Sequence, residues 1–481
     1  MTKIDLAGLG IAEAKNLMSR GELSSRELLS AYQSEIKNKN PELNAYLEIF
    51  SDSFEAAEEI DENLKKGAEP RALEGIPFAI KDNILIKDKI CSAGSRMLQN
   101  YTASYDAYVI EKLKEAGAIF LGRTNMDEFA MGSSTENSAF GISRNPYDVL
   151  RVPGGSSGGS AVAVAANMAL AALGSDTGGS IRQPAGFCGL VGLKPSYGAV
   201  SRSGLIAMAS SLDQIGPLAK TVDDAELVFN VIKGKDPKDA SSVDYDEQSD
   251  KRGKKIDDSK FKIGVPKEFF GEGIDEDVRK ITDDAIDTLK GLGHEIKEVH
   301  LPRAPYALAA YYIIVPAEVS ANLARYDGVR YGLYKSGKDL IDDYFKTRAL
   351  GLGREVKRRI ILGTYVLSVG FRDAYYGRAG KIRMLIKKDF ENVFKEVDAL
   401  IAPVSPQPAF KIGEKINDPL AMYLEDIFLV PVNLAGVPAL SLPFGYVKRD
   451  NRKLPVGVQL IGQWFSESTL FEIGRQLEAH R

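Results

Sequence analysis

Two glycine–serine elements sit close together in this chain: Gly-Gly-Ser-Ser-Gly-Gly-Ser at 154–160 and Gly-Ser-Asp-Thr-Gly-Gly-Ser-Ile-Arg-Gln-Pro at 174–184. The 161–173 run between them is apolar and alanine-rich, and reads as a core helix followed by a strand. Glycine has no side chain and tolerates positive φ, so each turn lets backbone amides approach a reacting oxygen. Serines at the tips of such turns suit a serine hydrolase or acyl-transfer site. A flexible Gly/Ser linker does not normally run straight into an apolar helix. A phosphate-binding loop needs Gly-Lys-Ser/Thr at its end, whereas Gly159 is followed by Ser160 and Ala161.

A serine hydroxyl needs a base. The chain has only three histidines, His294, His300 and His480; none is near a glycine turn, and each reads as a surface residue. Lysine is the remaining choice, and Lys81 is the best placed, ending the strand-like run Gly75-Ile76-Pro77-Phe78-Ala79-Ile80 and preceding Asp82-Asn83. Burial depresses a lysine pKa by up to ~3–5 units from its reference near ~10.4, which leaves neutral amine to accept a proton. A structural ion pair with Asp82 or another carboxylate explains Lys81 equally well, and position alone does not decide. In the second element, successive N–H groups at a turn before a helix form an anion-binding hollow. The amides of Thr177, Gly178, Gly179 and Ser180 would hold the oxyanion formed when Ser180 attacks a carbonyl. Asp176 and Arg182 flank the turn, and mutual pairing to hold the loop is their expected job.

Elements that can position these groups are readable. Ser24 and Glu27 form a capping box ahead of Leu28, Leu29 and Tyr32. Asp106 stands where it could cap a helix carrying Val109, Ile110 and Leu113, stopped by Gly117 and followed by a strand at 118–121. The same order returns with a helix at 275–292 and a strand at 295–301. Further buried strands are predicted at 76–80, 168–174, 262–265 and 399–402, and a helix at 471–480. This alternation predicts an α/β sheet with helices on both faces. Residues 234–260 are rich in Lys, Asp, Ser and Gly and read as an exposed charged connection, a hinge between halves of the sheet. Residues 325–361 read as a helical, charge- and tyrosine-rich surface subregion near the site.

The 481 residues are 44% hydrophobic and 27% charged, which is ordinary globular composition and excludes collagen-like and disordered classes. A net charge of −4 gives no electrostatic footprint for direct nucleic-acid binding. Two cysteines, Cys91 and Cys188, are too few for a disulfide framework or a four-ligand zinc site. No apolar run reaches the ~20 residues that cross a bilayer, and the N-terminus lacks the order of a secretory signal. A cytoplasmic location without membrane partners is expected.

With these residues on the page, the chain resembles the amidase signature family. The match runs through Gly75-Ile76-Pro77, Lys81-Asp82-Asn83, both glycine–serine elements, Cys188-Gly189-Leu190 and Lys194-Pro195. The resemblance implies one domain over 1–481 with a large mixed sheet covered by helices. Its parts would be an N-terminal helical segment at 1–70, a signature core at 71–233, the 234–260 connection, and a C-terminal half at 261–481. The family's Ser–cis-Ser–Lys triad falls on Ser180 as nucleophile, Ser156 as bridging serine and Lys81 as base, with the Gly155–Ser156 peptide cis.

Within the family, blocks at 127–138, 311–314, 322–328, 355–360 and 423–428 resemble the glutamine-hydrolysing subunits of tRNA-dependent amidotransferases. Glutamine offers a carboxylate, an ammonium and a side-chain amide. By resemblance, Arg359, Asp426 and Tyr311 would meet them, with Gly132 in the 127–138 block. Arg358 is adjacent, and the sequence does not choose between the two arginines; by residue type alone the pair reads as a solvated, snorkelling face. The resemblance further implies no cofactor or metal in this chain. It implies two other amidotransferase subunits as partners, one a kinase/transferase and one small. Together they would use ATP and Mg²⁺ on a misacylated Glu-tRNA(Gln) or Asp-tRNA(Asn). A stand-alone amidase for small aliphatic or aryl amides is the alternative.

Overall fold

The computed structural model describes residues 4–250 and 260–481. One sheet of 11 strands organises them. In chain order its first six strands are β1 (Tyr46–Ile49), β2 (Pro77–Lys81), β3 (Ile119–Thr124), β4 (Ala171–Asp176), β5 (Val191–Lys194) and β6 (Gln214–Ala219). The others are β7 (Lys262–Pro266), β8 (Glu295–Val299), β9 (Ala399–Pro403), β10 (Ala439–Arg449) and β11 (Arg452–Gly462). Their lateral order is β1-β3-β2-β4-β6-β5-β10-β11-β9-β7-β8. The sheet is mixed: β2 runs parallel to β3 and β4, while β6, β5, β10 and β11 pair antiparallel.

Six strands fall where apolar runs predicted them: β2, β3, β4, β7, β8 and β9. Every residue of β2, β4, β5, β6 and β9 is buried, as expected of central strands covered on both faces. The long β10–β11 hairpin was not read from the sequence. Its two-residue turn is Asp450–Asn451, with φ of 48° and 62°, and Arg449 pairs with Arg452 across it. That is the left-handed pair a tight hairpin needs.

Register matters most between β2 and β4. Ile80 lies beside Leu173 on a parallel partner. The carboxyl ends of the two strands therefore deliver Lys81 and Ser175–Asp176 to the same edge, where open α/β sheets build their sites. The 161–173 run behaves as read, with helix Gly158–Ala165 followed by β4. Helix Arg182–Phe187, buried at every residue, follows the second glycine turn.

Several expectations need correction. The Ser24/Glu27 capping box is present and Asp275 caps Glu276–Gly291, but Asp106 is not a cap. Ala107 holds that position, while Asp106 accepts from Lys87 N and pairs with Lys114. His294 is buried rather than on the surface, taking the Phe261 amide on Nδ1 and facing Gln476 through Nε2. In the 234–260 segment, read as exposed, Asp236, Asp239, Ser242 and Tyr245 are buried; residues 251–259 lie outside the described residues. Finally, Ala304–Arg325 is a helical stretch of 22 residues containing an 18-residue window of mean hydropathy 1.3, long and apolar enough by length and composition to cross a membrane. Half of that window is buried inside the protein. Its helix Ala307–Asn322 packs against Arg354–Leu367 and Arg378–Val393, making it the central helix of a second core cluster with Val315, Val319 and Phe390.

Candidate active site

Lys81 is fully buried at the end of β2, and among the described residues no carboxylate pairs with it. Its Nζ lies 2.7 Å from Ser156 Oγ, 2.8 Å from Ser157 Oγ, 2.9 Å from Ser175 Oγ and 3.2 Å from Ser175 O. Asp82, the structural partner that position alone allowed, is engaged elsewhere. It accepts from the amides of Ser92 and Gly94 and from the Ser92 hydroxyl, and pairs with Arg123 at 3.0 Å. Burial lowers the Lys81 ammonium to about pKa 7, against the upward pull of Asp127, Asp176 and Asp213. An amine near neutrality in a dry site can take a proton.

Proton accounting around the amine gives the relay a direction. Ser157 Oγ donates to Ser175 O at 3.1 Å and receives the Ser175 amide, so its hydrogen is committed. Ser175 Oγ receives Asn83 Nδ2 at 2.9 Å. Ser156 Oγ has Lys81 as its only side-chain partner among the described residues. Its hydrogen is free to face the lone pair of a neutral Lys81, leaving its own lone pairs for another hydroxyl.

Ser156 sits in a locked loop. The Gly155–Ser156 peptide is cis. The Gly155 amide donates to Gln183 Oε1 at 3.0 Å, and the Asp127 amide reaches Ser156 O at 3.4 Å. Gly155 is wedged so tightly that an added Cβ would lie 2.2 Å from Asp127 Oδ2. Asp127 accepts the Thr135 and Asn137 amides at 2.9 and 3.1 Å, and burial pushes its carboxyl up to about 6 despite them.

The second turn is built on an ion pair. Asp176 and Arg182 are both fully buried and pair at 3.1 Å, as expected. Burial alone would raise the Asp176 carboxyl, but Arg182 outweighs it and holds the pKa at about 2. Asp176 also takes the Gly179 amide on Oδ1 at 2.8 Å. Gly179 therefore drops out of the predicted anion hollow, because its N–H is already spent. The amides of Thr177, Gly178 and Ser180 have no partner among the described residues. Thr177 is oriented by its hydroxyl, which donates to buried Asp213 at 2.7 Å; nothing in the sequence signalled Asp213. Ser180 is 7% exposed, its carbonyl receives the Ser157 amide, and its hydroxyl makes no hydrogen bond to a described residue.

Beside this centre, Arg359 is buried and Arg358 is one-third exposed, with side chains 4% and 34% accessible, which resolves the choice between them. Arg359 Nε donates to Glu355 Oε1 at 2.8 Å, and its guanidinium lies 5.3 Å from the Tyr312 ring and 5.6 Å from the Tyr423 ring. Those rings stack at 3.8 Å. The Tyr423 hydroxyl joins Arg359 on Glu355 at 2.9 Å, so the cation is fixed in direction with its terminal nitrogens still available. Asp426 accepts from Ser133 Oγ at 2.7 Å, and burial pushes its carboxyl up to about 8. Tyr311 lies against the turn: a Cβ on Gly178 would sit 2.4 Å from its hydroxyl. Gly132, Ser133, Asn137, Arg358, Arg359 and Tyr423 line a cavity of about 190 Å³, below the roughly 300 Å³ at which drug-sized sites begin. Ser180, Tyr311 and Asp426 are not on that lining. A larger cavity of about 590 Å³, between N-terminal helices near Met18 and Leu64, holds none of these groups.

Comparison with known proteins bears on this arrangement. The Amidase family model matches residues 27–471. The chain belongs to the amidase family. It is 52% identical to the A subunit of glutamyl-tRNA(Gln) amidotransferase from Carboxydothermus hydrogenoformans, over 99% of this chain and 98% of that one. The corresponding protein from Thermoanaerobacter pseudethanolicus is 53% identical over 99% and 97%. Among solved structures, the A subunit of glutamyl-tRNA(Gln) amidotransferase from Thermotoga maritima aligns with TM-score 0.80 at 42% identity, covering 99% of this chain and 96% of that one. A peptide amidase from Stenotrophomonas maltophilia also reaches 0.80, at 31% identity with coverage of 99% and 97%. Backbone shape is thus common to this amidase and to relatives of different specificity, and the side chains carry the difference.

Residue type and spacing singled out the two glycine–serine turns and Lys81, and the family resemblance assigned the roles of Lys81, Ser156 and Ser180, but neither pointed to what surrounds them. Ser157 and Ser175 lay inside the two motifs, and Glu355 and Tyr423 inside the later blocks, without a role. Replacing Arg182 with Met would leave Asp176 buried without its cation. That costs about 3–5 kcal/mol, and is expected as a clear fall in the apparent Tm by calorimetry; an unchanged Tm would contradict this account of the turn.

Proposed function

We propose that this chain is the glutaminase component of a tRNA-dependent amidotransferase, releasing ammonia from glutamine through a seryl acyl-enzyme. One observation carries the reading. A buried guanidinium and a buried carboxyl group, on Arg359 and Asp426, both act electrostatically on Tyr311, whose hydroxyl packs against Gly178 in the turn that carries Ser180. The first suits the α-carboxylate of glutamine and the second its α-ammonium. A site for simple amides has no need of either group.

On this reading Ser180 Oγ attacks the side-chain amide carbon. Its proton passes to Ser156 Oγ as the Ser156 proton passes to neutral Lys81. The amides of Thr177, Gly178 and Ser180 receive the oxyanion. As the C–N bond breaks, Lys81 returns its proton through Ser156 to the leaving nitrogen, and ammonia departs. A γ-glutamyl ester remains on Ser180. Water, deprotonated by the same relay, cleaves it to glutamate and restores the serine. Similarity to proteins named as one lettered component of an amidotransferase supports membership of a multi-subunit assembly. Ammonia would be used there by a kinase/transferase partner, accompanied by a small third component, on Glu-tRNA(Gln) or Asp-tRNA(Asn) with ATP and Mg²⁺.

Ser180→Ala is expected to lower glutamine hydrolysis by at least about 10⁴-fold, since nucleophile loss in such units is not compensated; a wild-type rate would defeat the assignment. The active form carries neutral Lys81, whose pKa is about 7. Protonation removes the base, so kcat should be flat above that pH and fall about tenfold per unit below it. A kcat independent of pH between about 5 and 8 would contradict the lysine's role.

A further inference from the structure

We propose that Glu128 is a positioning residue that sets the distance between the substrate's carboxylate anchor and the serine centre. The inference rests on the glutamine reading and deepens it. Glu128 is buried and, among the described residues, forms no ion pair. Burying a carboxylate without a cation is costly unless its oxygens are well used. Here they join two parts of the site. Oε1 receives Ser95 Oγ at 2.5 Å, and Oε2 receives the amide of Gly353 at 2.7 Å.

Each end of that link leads to one half of the chemistry. On one side, Glu128 is bonded in the chain to Asp127, whose amide reaches Ser156 O and whose carboxylate holds the loop against which Gly155 is wedged. On the other side, Gly353 is the N-cap of helix Arg354–Leu367, and a carboxylate is favoured at that end of a helix. Two turns of the helix carry Glu355 and Arg359, joined at 2.8 Å. The guanidinium therefore stands on a rigid rod whose start is pinned to the serine loop by one side chain. The fit is tight: a Cβ on Gly353 would lie 2.2 Å from Glu128 Oε2. The loop is also held in an unfavourable conformation. Phe129 and Ala130, the next two residues, have φ of 49° and 62° although neither is glycine. Such backbone is unfavourable for a residue with a side chain and persists only where the surroundings over-determine it. The Phe129 amide bonds Ala93 O at 2.8 Å and its ring stacks on Tyr326 at 5.0 Å.

Loss of the link should let the Arg359 helix drift while the serine centre stays intact. The test uses the full chain, purified with any co-expressed partner proteins. Glutamine kinetics are measured beside the rate at which a small alkyl fluorophosphonate, which has no amino-acid head group, labels Ser180. Glu128→Ala is expected to raise the glutamine KM about 10- to 100-fold, the scale of a misplacement of ~1 Å. Labelling should stay within about twofold of wild type. Glu128→Gln keeps an oxygen for the Gly353 amide and should restore KM to within about threefold. Gly353→Ala leaves Glu128 in place but displaces its carboxylate, and should raise KM as Glu128→Ala does, which keeps the test decisive if that variant does not fold. A wild-type KM in Glu128→Ala or Gly353→Ala, or labelling that falls in step with kcat/KM, overturns the positioning role. A wild-type enzyme that is labelled yet does not hydrolyse glutamine refutes the glutaminase reading instead.

Discussion

A buried amine with no counter-ion among the described residues is the constraint on which the site depends. Lys81 is enclosed by three serine hydroxyls and one carbonyl, and its nearest carboxylates are each turned to other work. Asp127 holds two loop amides, Asp176 holds Arg182, and Asp213 holds Thr177 with the amides of Met208 and Ala209. A carboxylate in direct contact would keep the ammonium charged and remove the base. Hydroxyls satisfy the nitrogen in either protonation state, because each can donate or accept. The carboxylates thus shape the loops around Lys81 without neutralising its function.

The sheet makes this possible by placing two buried parallel strand ends side by side. β2 brings the amine, and β4 brings Ser175 and then the Asp176 turn. Glycine is used where backbone must come close: Gly155 against Asp127, and Gly178 beneath Tyr311. On the proposed function, substrate selection belongs to other parts of the chain, helices Ala307–Asn322 and Arg354–Leu367 and Asp426. A peptide amidase shares the backbone to the same TM-score as the amidotransferase relative, so the fold does not dictate which amide is cleaved.

Legibility followed locality. Lys81, Ser156 and Ser180 lie in short motifs that residue type and spacing mark as candidate chemistry and that the family resemblance turns into roles, and β2 and β4 follow from apolar runs bounded by turns. What escaped was set at long range. The hairpin of β10 and β11 carries Pro443 and Pro455 within its strands and an Asp-Asn turn between charged residues, so no clean alternation marks it. Asp106 looks like a cap but is drawn to Lys87 N and Lys114, and His294 looks like a surface residue but is enclosed by Phe261 and Gln476. Gly179 belongs to the right turn, yet its amide is claimed by Asp176. Arg358 and Arg359 are neighbours whose difference is rotation about a helix, visible only once Tyr312 and Tyr423 are in place.

The most direct test is the protonation state of the amine itself. In protein labelled with ¹³C and ¹⁵N lysine, the Nζ resonance of Lys81, assigned by its loss in Lys81→Met, can be followed against pH. The account predicts a midpoint near the value of about 7 that burial imposes. An ammonium that persists to the ordinary lysine range near ~10.4 would contradict it, because no neutral base would then exist at physiological pH.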